Sequence, residues 1–205
     1  MRKKAGLLLI ITGTALLLSA LSLVLYNWYA DIQAGRNAKS LLAGVQSIME
    51  ERKADNTALL EMETAISESV EALDPELPVV ELEGYAYVGT ISIPTLELEL
   101  PVMSEWDYER LRIAPCRQFG SSRTDDLVIA AHNYKNHFGL LKQLSVGEAA
   151  IFTDMDGVIN DYAVVKTEIL QPTDVNTVYN SGHDLVLYTC TKGGKSRVVV
   201  FCDRV

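Results

Sequence analysis

The hydrophobic pattern of the chain changes character three times. Residues 5–30 carry no charged side chain, and Leu7–Leu25 is almost wholly aliphatic. A helix of that length spans a hydrocarbon core of about 30 Å. Arg2, Lys3 and Lys4 precede the run, while Trp28 and Tyr29 follow it at interface depth. The positive-inside rule therefore predicts a single-pass anchor in the cell membrane, with a cytoplasmic N-terminus and an extracellular remainder. The run suits an uncleaved anchor better than a signal peptide, whose apolar region is about 7–15 residues. Leu18-Ser19-Ala20, the nearest cleavage-like site, lies inside the apolar run itself.

The second pattern is helical. Leu41, Val45 and Ile48, then Leu59, Met62, Ile66, Val70 and Leu73, recur at three- and four-residue spacings and predict helix over 31–73. Gly35 and Gly44 weaken its first half, and Asp55-Asn56-Thr57 predicts a break with a new N-cap. Asp74-Pro75 and Leu77-Pro78 end the helix and open an extended linker. Residues 31–83 thus read as an acidic helical stalk and linker between an anchor (1–30) and a domain (84–205). Its apolar stripe suits packing on the domain or on a second copy, and the sequence does not choose.

From Gly84 onward the pattern is that of short β segments. Tyr85–Ile93 alternates, Pro94 interrupts, and Leu96–Leu100 alternates strictly as a half-buried strand does. Leu127–Ala131 is a short apolar strand. Ala149–Phe152 and Val158–Val165 flank the turn Asp154-Met155-Asp156-Gly157, with Ile169-Leu170 extending the second, and Leu185–Thr189 and Arg197–Cys202 close the series. Tyr108–Ile113 and Phe138–Leu144 read as short helices. A mainly β, closed eight-stranded barrel with short helices is predicted.

Charge and cysteines narrow the classes. A net charge of −9 argues against nucleic acid as a partner. Eleven acids between residues 50 and 83, against only Arg52 and Lys53, concentrate that excess in the spacer. The three cysteines, Cys116, Cys190 and Cys202, are too few and odd in number for a disulfide framework, which flags a free thiol outside the cell. Cys116 reads as packed, although a Cys116–Cys202 disulfide stays open. His137 and His183, in turn-like surroundings, read as solvated, as do Lys192 and Lys195.

Cys190 ends one apolar strand, His132 ends another, and Arg197 opens the last. A nucleophile, a proton carrier and an oxyanion donor are the parts of covalent acyl transfer. Six residues separate Cys190 from Arg197. If the two are opposite in an antiparallel hairpin, they share a face, and Cys202 falls on the other face with Val198 and Val200. A one-residue slip reverses that assignment. Alone, Cys190 reads equally well as a buried small hydrophobe.

These blocks resemble the sortases, the Gram-positive cell-surface cysteine transpeptidases. The resemblance is carried by Val186-Leu187-Tyr188-Thr189-Cys190 with Arg197, by Val128-Ile129-Ala130-Ala131-His132-Asn133, and by Val88–Pro94 followed by Leu100-Pro101-Val102. They occur in family order. Val186 stands where the signature has threonine, and Ala131 where glycine is common. Asp74-Pro75 is similar to the lid motif of pilin-polymerising class C members, but Glu76 stands where that motif has an aromatic. The subclass stays open. The resemblance implies catalysis by Cys190, His132 and Arg197, with Thr189 and Ala131 at the substrate. It implies cleavage of an LPXTG-like signal on secreted proteins through a thioester, and transfer to an amine of a peptidoglycan precursor or a pilin. No metal or cofactor is implied. The acids of Asp154–Asp156 are similar to those of calcium-binding members, but a hairpin turn accounts for them better.

Three rivals differ in the residues they need. An L,D-transpeptidase places glycine before its cysteine and arginine about two residues after, whereas Thr189 precedes Cys190 and Arg197 lies seven on. A hydrolytic cysteine peptidase needs an Asn or Asp orienter, and Asn133, adjacent to His132, reads as badly placed for it. An inactive surface adaptor is free to lose one of the three residues, yet all are intact.

Overall fold

The computed structural model describes residues 2–63 and 74–205, the side chains of 2–8 and 55–63 excepted. The chain divides into two compact units, Met1–Gln33 and Ala34–Val205. Helix α1 (Arg2–Glu63) belongs to both. In the first unit the helix is long and apolar enough to cross a membrane, with a mean hydropathy of 2.1 and an unburied apolar window. The break predicted at Asp55-Asn56-Thr57 does not occur, and the helix continues to Glu63. No Gly or Pro interrupts this stretch, and the good helix formers Lys53, Ala54, Ala58, Leu59 and Leu60 flank the three weak ones. Ile66, Val70 and Leu73 of the predicted stripe lie outside the described residues.

In the second unit the helix is part of the domain, not a detached stalk. Ala38 joins the main core, while Leu41 and Val45 pack with Tyr87, Met103, Cys116 and Met155. The two glycines that weaken the helix pattern mark its closest approaches. A Cβ on Gly35 would lie 2.8 Å from the Asn136 amide nitrogen, and one on Gly44 would lie 2.7 Å from a Leu82 methyl. The Gln46 amide also donates to Glu99 Oε1 at 2.7 Å.

The strands are β1 (Val80–Leu82), β2 (Tyr85–Ile93), β3 (Leu98–Met103), β4 (Cys116–Phe119), β5 (Leu127–Ala130), β6 (Ala149–Asp154), β7 (Ile159–Leu170), β8 (Leu185–Cys190) and β9 (Arg197–Arg204). Their order is β1-β2-β3-β4-β5-β8-β9-β7-β6, and β6 pairs back onto β2. Eight strands therefore close the predicted barrel. β1 extends it by pairing with the start of β2, before β6 takes over the same edge at Gly89. The strand predicted from Leu96 begins instead at Leu98, because Pro94–Leu96 form a 3-10 turn and Glu97 adopts φ 53°. The two predicted short helices reduce to 3-10 turns, Arg110–Arg112 and Leu141–Gln143. One short helix, α2 (Val175–Tyr179), lies between β7 and β8.

Alternation separates two apolar layers on β5, β8 and β9. Leu127, Ile129, Leu185, Leu187, Val198, Val200 and Cys202 fill the barrel. Val128, Val186, Val199 and Phe201 form an outer cluster, packed with Leu170, Val178 and Tyr188. The linker is tied down too. Leu77 is buried in the barrel core, and Arg123 donates to the carbonyls of Asp74 (3.1 Å) and Glu76 (3.4 Å). Arg123 also pairs with Asp154 and Asp156, each at 2.7 Å. Asp154 Oδ1 meanwhile accepts the backbone N–H groups of Asp156 and Val158. These acids thus hold a hairpin turn to an arginine.

Candidate active site

Cys190 and Arg197 are cross-strand partners at the turn end of the β8–β9 hairpin, the last pair before the connecting loop. By alternation both face outward with Val186, Tyr188 and Val199, whereas Cys202 points into the barrel. On the other side β5 runs parallel to β8, with Ala130 level with Tyr188. Carried two residues past the end of β5, this register brings His132 level with Cys190 on the same outer face. His132, just past the end of β5, thus continues the row that Cys190 and Arg197 make across β8 and β9.

Two hydrogen bonds hold that row in register. Ala131 N–H donates to Tyr188 O at 3.1 Å, and the Thr189 hydroxyl donates to Ala131 O at 2.8 Å. Both residues are buried, Ala131 at 4% and Thr189 at 2% exposure. The two residues form a clasp between the His132 and Cys190 segments. The physical reason for their burial is inward alternation at both positions.

The Cys190 thiol is partly exposed, and all three cysteines are free. Burial pushes the Cys116 and Cys202 thiols up to about 12, leaving them poor nucleophiles. They lie in separate apolar clusters. Arg197 Nη1 donates to the carbonyls of Gly194 (3.1 Å) and Ser196 (3.2 Å), which anchors the side chain to the hairpin loop. Among the described residues no carboxylate pairs with it. Asp184, the partner that a purely structural role would call for, instead accepts the Arg204 N–H. Lys192 and Lys195 are exposed in the same loop.

His132 is half-buried. Its Nδ1 lies 3.0 Å from Asn133 Oδ1, and its ring stacks on Tyr134 at 4.1 Å with 6° between planes. Adjacency in sequence therefore does not misplace Asn133, because the turn after β5 folds its amide back onto the imidazole. Burial lowers the His132 pKa, the Asn133 bond opposes that shift, and the Arg112 charge adds to the lowering. Arg112, exposed before β4, is near enough for its charge to act on the imidazole, which the sequence pattern does not show. Its signal lies in strand pairing, since Cys116 is level with Ala130 and the residues before Cys116 therefore run past His132.

Beside the row lies a pocket of about 190 Å³, lined by Trp106, Leu170, Val175, Val178, Tyr188 and Arg197 among others. Tyr188 donates to Gln118 Oε1 on β4, and Phe119 stacks on Tyr179 of α2 at 4.0 Å, which ties the α2 wall to the barrel. The remaining histidines are not solvated as their sequence surroundings suggest. His137 is fully buried, and His183 Nδ1 is bonded to Asp203 Oδ1 at 2.7 Å. Asp74-Pro75-Glu76 is held by Arg123 of the β4–β5 loop, at the opposite end of β5 from His132.

A family model described as the sortase domain matches residues 91–205. The chain belongs to the sortase family. Among solved structures it is similar to sortase C-3 of Streptococcus pneumoniae, at 24% identity over 84% of this chain and 90% of that one, with a TM-score of 0.55. It is also similar to a sortase D5 transpeptidase of Clostridium perfringens, at 16% identity, 83% and 99% coverage and a TM-score of 0.59. Sortase A of Corynebacterium diphtheriae matches at 19% identity, 86% and 93% coverage and a TM-score of 0.53. These likenesses bear on the fold and span three sortase types, so they do not assign a subclass. No curated protein matches the sequence.

Proposed function

We propose that the protein is a membrane-anchored cysteine transpeptidase that cleaves an LPXTG-like sorting signal through a Cys190 thioester. The observation that supports this reading is the pairing of Cys190 with Arg197 on one outward face, beside the β5 segment whose register leads on to His132. The Cys190 thiolate attacks the scissile carbonyl carbon, and Arg197 donates its unengaged N–H groups to the developing oxyanion. The C–N bond breaks as His132, in its imidazolium form, gives its proton to the departing amine. The acyl group is left on sulfur. An acceptor amine, on a peptidoglycan precursor or a pilin, then loses a proton to His132 and displaces the thiolate. The pocket against α2, where Leu170, Val175 and Val178 meet Gln118, Gln171 and Asp174, suits a side chain of the signal. Helix α1 anchors the enzyme, with the basic N-terminal residues in the cytoplasm and the barrel outside.

One observation favours a second reading. A Cys–His–Asn constellation also serves hydrolytic cysteine peptidases, and Asn133 does bond to His132. The readings part at the second step, where water or an amine takes the acyl group. Incubation of the protein with a sorting-signal peptide and a diamine separates them. Transpeptidation gives peptide joined to amine in rising proportion as amine is added, whereas hydrolysis gives free acid whatever the amine concentration.

A further inference from the structure

We infer that Asn133 is a positioning residue that fixes the tautomer of His132 and couples the imidazole to the chain segment leaving Cys190. The inference deepens the proposed function and rests on His132 being the proton carrier. Asn133 is bonded at both ends of its amide. One end faces His132 Nδ1 at 3.0 Å, and the other, Nδ2, donates to Thr191 O at 3.5 Å. A peptide carbonyl only accepts, so the amide nitrogen must be the end facing Thr191. The oxygen then faces the ring, and because it too only accepts, Nδ1 must carry a hydrogen. Neutral His132 is thereby held as the Nδ1–H tautomer. Nε2 is left as the basic atom, free to take a proton from an incoming amine and to return one to a leaving amine.

Thr191 directly follows Cys190, so one side chain spans the proton carrier and the nucleophile strand. The parallel stack on Tyr134 restrains ring rotation out of that plane. The other charged or titratable groups on the segments around the ring include Tyr134 and Lys135 after it, Arg112 before β4, and Cys190, Lys192, Lys195 and Arg197 on the β8–β9 hairpin. None of them engages Nδ1 in a hydrogen bond. This leaves Asn133 as the group that sets which ring nitrogen works.

The test combines two readouts on the full chain. Nitrogen chemical shifts of the labelled His132 imidazole, assigned by their loss in His132→Gln, should show the Nδ1–H form above its pKa. In Asn133→Ala that preference should disappear, and kcat should fall about tenfold or more at nearly constant KM. Such a loss is part of the 10²–10⁴ that a positioned acid–base group supplies. Asn133→Asp keeps the shape but adds a charge opposite Nδ1, so the His132 limb of the pH–rate profile should move to higher pH. An Nε2–H wild type, or an Asn133→Ala protein of unchanged tautomer and kcat, overturns the inference. The shifts can be read in Cys190→Ala protein, so a failure of the proposed activity stays distinguishable from a failure of this assignment.

Discussion

Arg197 stands directly across the ladder from Cys190 and has no carboxylate partner among the described residues. A guanidinium held by two loop carbonyls, on the same face as Cys190, is suited to charge that appears only in the transition state. Arg197→Ala should therefore lower kcat by roughly 10²–10³, the range for removal of one oxyanion donor. Lysine should restore only part of that, because a point charge cannot reproduce the fork. Steady-state kinetics beside thermal melts check this. A lower melting temperature with normal turnover would make Arg197 a brace for the hairpin.

The Thr189–Ala131 clasp gives a prediction that separates positioning from substrate contact. Thr189→Val keeps the shape but leaves Ala131 O buried without its donor, a loss of about 1–3 kcal/mol in denaturant unfolding. Turnover should fall with it, since His132 follows Ala131 directly, while Thr189→Ser should retain most of both. A Thr189→Val protein of normal stability and raised KM would place this residue at the substrate.

Arg112 offers a pH test. Burial of the imidazole lowers the His132 pKa and the Arg112 charge adds to the lowering, so removing the charge should raise it. Cleavage of the signal needs imidazolium, which a higher pKa keeps populated to higher pH. In Arg112→Gln the alkaline fall of kcat/KM governed by His132 should shift upward, with no new dependence elsewhere. An unshifted profile would remove Arg112 from the electrostatics of the site.

The barrel was readable because it rests on alternation, and with Cys190 taken opposite Arg197 the same two-residue period applies to the last hairpin. Cys190, Arg197 and Cys202 are close in sequence, so parity alone sorted the outward thiol from the inward one. Strands β1 and β4 and helix α2 escaped notice because three to five residues are too few to show a period. Asn133 was misjudged for another reason. Adjacency in sequence says nothing about a turn that folds one side chain onto the next. An apolar stripe alone does not choose between the domain and a second copy, and the glycines that weaken the helix pattern are where the backbone meets Asn136 and Leu82.

That packing predicts where the chain can be shortened. A protein begun at Ala34 should fold and melt cooperatively, because it retains α1 from Ala38 through Val45 and keeps Leu77 in the core. One begun at Gly84 loses Leu77 and uncovers the Tyr87–Met103 cluster, each buried leucine alone being worth about 2–5 kcal/mol. It should melt well below the longer protein or fail to fold. Equal melting temperatures would show that the helix and linker contribute nothing to the domain.

The central claim is that Cys190 is the acylated nucleophile. Intact-mass measurement after incubation with a sorting-signal peptide tests it most directly, in the wild type and in the Cys116→Ala, Cys190→Ala and Cys202→Ala proteins. A hydroxylamine-labile adduct of the acyl fragment's mass should form in all but Cys190→Ala. The two buried-cysteine variants should lose only about 1 kcal/mol of stability. An adduct that survives Cys190→Ala, or vanishes in Cys202→Ala alone, would contradict the account.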